Sequence, residues 1–245
     1  MSDTADRDST ITNSTTTTTT AATTSSEAVA RSPIAPRDPV VRSGWEVSAR
    51  RSTAECTLAD ETPASKALVR APFRGAVRDL LGTPFGRALR REMAGVPVLA
   101  VGSGPGEWLV IGPSDAGSRV REHLGSATAG SGEFATVVDL THGRALMRLR
   151  GRRSADLLNK LCGMDLREAS APDGAAFRTS VAGVATDVIR DDASELSYLL
   201  HCERSSGQYL FDALRDAGAE FGIDTTGPDH PAAGSPAGSA RAAVR

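Results

Sequence analysis

Hydrophobic and polar positions alternate most regularly across residues 136–166, TVVDLTHGRALMRLRGRRSADLLNKLCGMDL. Val137 and Val138 lead into Asp139-Leu140-Thr141-His142-Gly143. Beyond that turn Ala145, Met147 and Leu149 alternate with Arg144, Arg148 and Arg150. A period of two predicts a strand with one face in a core. Leu146 interrupts the basic face, so that face is expected to be half covered. Gly151 releases the chain into a helix in which Ala155, Leu158, Leu161 and Cys162 recur at helical spacing. Gly163 is placed to end this helix in a left-handed cap.

The same reading extends in both directions. Short apolar runs at Ala67–Val69, 96–101 and Trp108–Ile111 predict strands, with Pro97 favouring a strand start or an edge. Residues 73–95 are ambiguous, because Gly75, Gly82, Pro84 and Gly86 interrupt any long helix. Ser114 is a candidate N-cap for a helix that buries Ala116, Val120 and Leu124, followed by a loop over 125–132. Downstream, 177–181, 184–189 and 196–200 predict strands. A helix capped by Ser205 or Ser206 then carries Leu210, Ala213, Leu214 and Ala217 as far as Gly218. Strand pairs each followed by a helix predict an α+β domain, an antiparallel sheet covered by helices on one side. Its expected bounds are 64–224. Residues 1–31, rich in Thr and Ser, and 225–245, rich in Pro, Gly and Ala, are expected to be disordered. Residues 32–63 read as an extended arm, with Trp45 able to anchor it to the core or to a partner.

Composition narrows the functional classes. A formal charge of −2 gives no global attraction to nucleic acid or to an anionic membrane. Cys56, Cys162 and Cys202 are odd in number and never form a C-x-x-C pair, which argues for a reducing compartment and against a zinc site. No apolar run approaches the roughly 20 residues that span a bilayer, and the N-terminus lacks a secretory apolar segment. A cytoplasmic protein is expected.

Chemical candidates are few. Gly102-Ser103-Gly104-Pro105-Gly106 follows a strand but precedes another strand, so a hairpin is expected there and not a phosphate loop. His142 beside Asp139 offers a base–orienter couple. The simpler reading of Asp139, Thr141, His142 and Gly143 is a structural turn, with Gly143 supplying an unusual dihedral. The arginines at 144, 148, 150, 152 and 153 form a basic cluster. A solvated face is the default for it, and an acidic partner surface is the functional option.

The run D-L-T-H-G-R with its Arg/apolar strand and Gly151, followed by S-A-D-L-L and C-G-M-D-L, resembles the gamma subunit of heterotetrameric sarcosine oxidase. More distantly it resembles the first folate-binding domain of aminomethyltransferase, the glycine-cleavage T-protein. Gly106-Glu107-Trp108-Leu109-Val110-Ile111-Gly112-Pro113 is similar to a second gamma-subunit element. The resemblance implies the folate-binding, aminomethyltransferase N-terminal-like fold. It also implies a subunit with no catalytic, cofactor or metal site of its own, in a complex that oxidises sarcosine to glycine with release of hydrogen peroxide. The alpha, beta and delta subunits would be its partners. FAD, FMN, NAD, zinc and tetrahydrofolate would belong to those partners. Arg144, Arg148, Arg150 and Trp45 become candidate interface residues. Folate-binding relatives carry G-G-x-x-D-D where this chain has Gly183-Val184-Ala185-Thr186-Asp187, so Thr186 stands at the first acid. Two other readings stay open: a stand-alone folate-binding or aminomethyl-transfer module, and an interaction protein of another oxidoreductase.

Overall fold

A computed structural model of the chain describes residues 28–192 and 195–228. The disorder expected over 1–27 and 229–245 lies outside the described residues. In chain order the elements are β1 (Ala30–Arg31), β2 (Pro39–Arg42), β3 (Trp45–Ser48), β4 (Cys56–Asp60), β5 (Ser65–Arg70), α1 (Ala76–Leu81), β6 (Ala88–Met93), β7 (Val96–Gly104) and β8 (Glu107–Gly112). Then come α2 (Gly117–Ala129), β9 (Thr136–Asp139), β10 (Arg144–Gly151), α3 (Ser154–Asn159), β11 (Ala176–Val181), β12 (Val184–Arg190), β13 (Ser197–Glu203), α4 (Gly207–Ala217) and β14 (Asp224–Thr226).

These strands form two large sheets and one small one. The first has the order β11-β12-β13-β10-β4-β14, the second β6-β7-β8-β5-β9, and the third β1-β3-β2. The expected strand at 144–150 is β10, in the interior of the first sheet between β13 and β4. Its odd residues Ala145, Met147 and Leu149 are fully buried, and with Leu157 of α3 and Leu210 and Leu214 of α4 they build one core. A second core lies under α1 and α2, where Val77, Leu81, Val120 and Leu124 meet Val69, Val98 and Val110 of the second sheet. The remaining faces of the two sheets pack on each other through Ala88, Val101, Leu109, Ile111, Leu146, Ala176, Ile189 and Leu199. The α+β class is therefore as expected. Antiparallel sheets covered by helices are also as expected: the two large sheets stack face to face, and each carries its own helices on its outer face.

Several boundaries also differ from the expectation. Cys56–Asp60 is not part of an extended arm, since β4 pairs with β10 and buries Cys56 and Leu58. Thr225 and Thr226 continue the sheet by running parallel to β4. Helix α2 runs through Gly125 to Ala129, where Thr128 Oγ1 donates back to the Leu124 carbonyl at 2.8 Å. Helix α3 ends at Asn159 with a right-handed Lys160, and Gly163 has no positive φ. Gly151 is the glycine that geometry requires: at φ +121° an added Cβ would sit 1.9 Å from the Glu55 carbonyl oxygen, because β4 crosses close by.

Candidate functional site

Strand alternation decides where the charged residues go. With the odd residues of β10 in the helix-side core, Arg144, Leu146, Arg148 and Arg150 must point between the sheets. On the neighbouring strands the same phase directs Asp187 of β12 and Leu199, His201 and Glu203 of β13 into that layer. Leu146 and Leu199 close its apolar centre, and polar groups remain on either side of it. Each side opens into a cleft.

The smaller cleft, about 240 Å³, is lined among others by Leu68, Arg144, Arg178, Asp187, His201 and Glu203. Antiparallel pairing sets Asp187 directly opposite His201. His201 Nδ1 lies 3.0 Å from Asp187 Oδ2, and Arg178 Nε donates to Asp187 Oδ1 at 2.6 Å. Burial raises the Asp187 carboxyl pKa, but the hydrogen bonds from His201 and Arg178 outweigh it and hold the group below its ordinary range. Burial lowers His201, and the Asp187 contact offsets this only in part. The imidazole is therefore neutral near pH 7. With a carboxylate at Nδ1, the proton belongs on that nitrogen, which assigns the tautomer from the hydrogen bond. Nε2 is then a bare acceptor, and it is buried with no hydrogen-bond partner. This is a base–orienter couple of the kind that accepts a hydrogen bond or a proton.

Lys66 lies on the same inner face of β5 as Leu68. Its Nζ donates to the Thr62 and Ala64 carbonyls at 2.7 Å each. Burial lowers its pKa to about 7, despite the attraction of Asp60 and Asp139. A neutral amine keeps two N–H donors, enough for both carbonyls. The lysine thus fastens the turn between β4 and β5.

The residues singled out from the sequence are placed as follows. Asp139 Oδ1 accepts from the Thr141 N–H at 2.9 Å, and Thr141 Oγ1 accepts from the Lys66 N–H at 3.1 Å. These bonds hold the turn between β9 and β10, and Gly143 in it has no positive φ. His142 does not pair with Asp139 as base and orienter; its ring stacks on Trp45, centroids 4.7 Å apart and planes 8° from parallel. Trp45 is 5% exposed, so its apolar surface is spent inside its own chain. The basic strand face is likewise not free. Arg144 pairs with Glu203 at 2.8 Å, Arg148 with Asp191 at 2.9 Å, and Arg150 approaches Glu195 at 3.8 Å. Residue counting missed Asp187–His201 as a couple because 14 positions separate them; the pairing of β12 with β13 was the only signal that joins them.

Where the resemblance implies a folate-binding carboxylate, this chain has Thr186, which does not supply one. Thr186 is fully buried, and its Oγ1 donates to the Val184 carbonyl at 3.0 Å. The position offers neither a negative charge nor access from solvent. Among the described residues no group of three His, Cys, Asp or Glu side chains is arranged to hold a metal, and no helix is long and apolar enough to cross a membrane.

Comparison with known proteins agrees with this architecture. A chain of the heterotetrameric sarcosine oxidase from Corynebacterium sp. U-96, solved with pyrrole 2-carboxylate, is similar at 22% identity and a TM-score of 0.59. The match covers 71% of this chain and 89% of that one. The glycine cleavage system aminomethyltransferase T of Bartonella henselae is similar at 14% identity and a TM-score of 0.58. There the match covers 77% of this chain but only 55% of the aminomethyltransferase. At these identities both show the fold. No curated protein matches the sequence significantly. The family model described as the GCVT N-terminal domain matches residues 104–230, just over half of the 245 residues. The chain belongs to the GCVT N-terminal domain family.

Proposed function

We propose that this chain is a structural, non-catalytic subunit, the gamma chain, of a heterotetrameric sarcosine oxidase. The observation that carries the reading is the similarity to a chain of such an oxidase over 89% of that chain's length. The sealed Thr186 supports it, because the acid that folate-binding relatives use is replaced by a buried hydroxyl. In this reading alpha, beta and delta subunits are its partners and carry FAD, FMN, NAD, zinc and tetrahydrofolate. The assembly oxidises sarcosine to glycine, forming hydrogen peroxide and 5,10-methylenetetrahydrofolate. The chain contributes assembly to that oxidoreductase.

The test is affinity purification of the tagged full chain from its native host, assayed for sarcosine-dependent hydrogen peroxide. Recovery of a yellow, active complex is expected; a colourless eluate without the activity contradicts it. The second reading, a stand-alone folate-binding or aminomethyl-transfer module, draws on the family match itself. Saturable micromolar binding of tetrahydrofolate to the pure chain would favour that module.

A further inference from the structure

The larger cleft between the sheets, about 600 Å³, is used by neither reading. Its volume falls in the range of small-molecule pockets, roughly 300–1,000 Å³. Leu99, Ile111 and Leu199 give it an apolar wall. Across from that wall, Arg90 Nη2 donates to Asp191 Oδ1 at 2.5 Å and Arg148 Nη1 donates to Asp191 Oδ2 at 2.9 Å. Two guanidinium groups thus share one carboxylate. Four arginines and three carboxylates line the whole cleft, and one of those arginines, Arg150, also approaches Glu195. Arg148 is nearly enclosed, whereas Arg90, on the edge strand β6, has a side chain 56% exposed, and its bonds to Asp191 and, at 2.7 Å, to the Asp192 carbonyl are both made by Nη2. Guanidinium groups recognise planar oxyanions through paired donors.

We infer that this cleft binds a small organic monocarboxylate with an apolar body, its carboxylate on Arg90 and its body against Leu99, Ile111 and Leu199. The half-exposed guanidinium of Arg90 matches a carboxylate, and the wall matches a hydrocarbon or aromatic body.

Benzoate is the probe, with benzyl alcohol as its uncharged counterpart, titrated into the full-length chain while methyl resonances are followed by NMR. Benzoate is expected to bind saturably and to shift the methyls of Leu99, Ile111 and Leu199, with benzyl alcohol at least tenfold weaker. Arg90→Gln removes that guanidinium while leaving Asp191 paired with Arg148, and should weaken benzoate roughly ten- to hundredfold, as expected for a charged hydrogen bond. No saturable benzoate binding up to its solubility limit overturns the inference. So does equal binding of the two probes, or binding that Arg90→Gln leaves unchanged. If Arg90→Gln does not fold, the comparison of the two probes on the wild-type chain decides the question alone.

Discussion

His201 Nδ1 lies 3.0 Å from the Asp187 carboxylate, and Arg178 grips the same carboxylate from the other side at 2.6 Å. An acid between a neutral imidazole and a guanidinium joins β11, β12 and β13, neighbours in one sheet, on the face that meets the other sheet. Replacing it by Asn should destabilise the fold by about 3 kcal/mol, the low end for an opened buried pair, because the Arg178 side chain is more than half exposed. Denaturant unfolding of Asp187→Asn checks this.

The same couple sets an acid limit. His201 titrates below its ordinary value in the folded chain, so below about pH 6.5 the unfolded state binds a proton that the folded state refuses. Stability from this residue is intact above that value and is lost as pH falls. Asp187, held below its ordinary range, loses its own contribution as pH falls further through the acid region. Melting temperature measured from pH 8 to 5 should fall on the acid side, and His201→Gln should flatten the upper part of that curve.

Neighbouring positions on β10 should now fail for different reasons. Met147→Asp places a carboxylate in the helix-side core, where the native side chain is fully buried, at a cost of several kcal/mol, comparable with a domain's entire stability of ~5–15 kcal/mol. Arg148→Glu sets a second acid against Asp191 and should also destabilise, by about 3–5 kcal/mol. Circular dichroism melts of both variants decide this. An Arg148→Glu protein as stable as wild type would contradict the enclosed pair.

Trp45 on His142 ties the small sheet to the turn before β10. Trp45→Ala should cost about 3–5 kcal/mol, as for large aromatic truncations in cores. A double-mutant cycle with His142→Ala should return a coupling of roughly 0.5–1.5 kcal/mol for the stack. Additive single mutants would show that the rings merely lie close.

Local pattern made β10 legible, because one residue in two is apolar and buried. It did not show that its arginine face points at a second sheet, since the packing of β7 and β8 against it is a long-range contact. Strand β6 was unreadable for a related reason: Leu89-Arg90-Arg91-Glu92 on an edge carries almost no apolar alternation. Strand β4 reads as arm in the sequence because Cys56 and Leu58 are too few to announce a strand without their partner β10. The chemistry was less legible than the fold. His142 and Asp139, close in sequence, drew attention as a couple, whereas His201 and Asp187 meet only through strand register.

The central claim is that this chain works inside an oxidase assembly, and native mass spectrometry of the tagged chain purified from its host tests it most directly. The account predicts one complex in which this chain is joined by three other polypeptides with bound flavin. A chain that emerges alone, or with partners that carry no flavin, would contradict it.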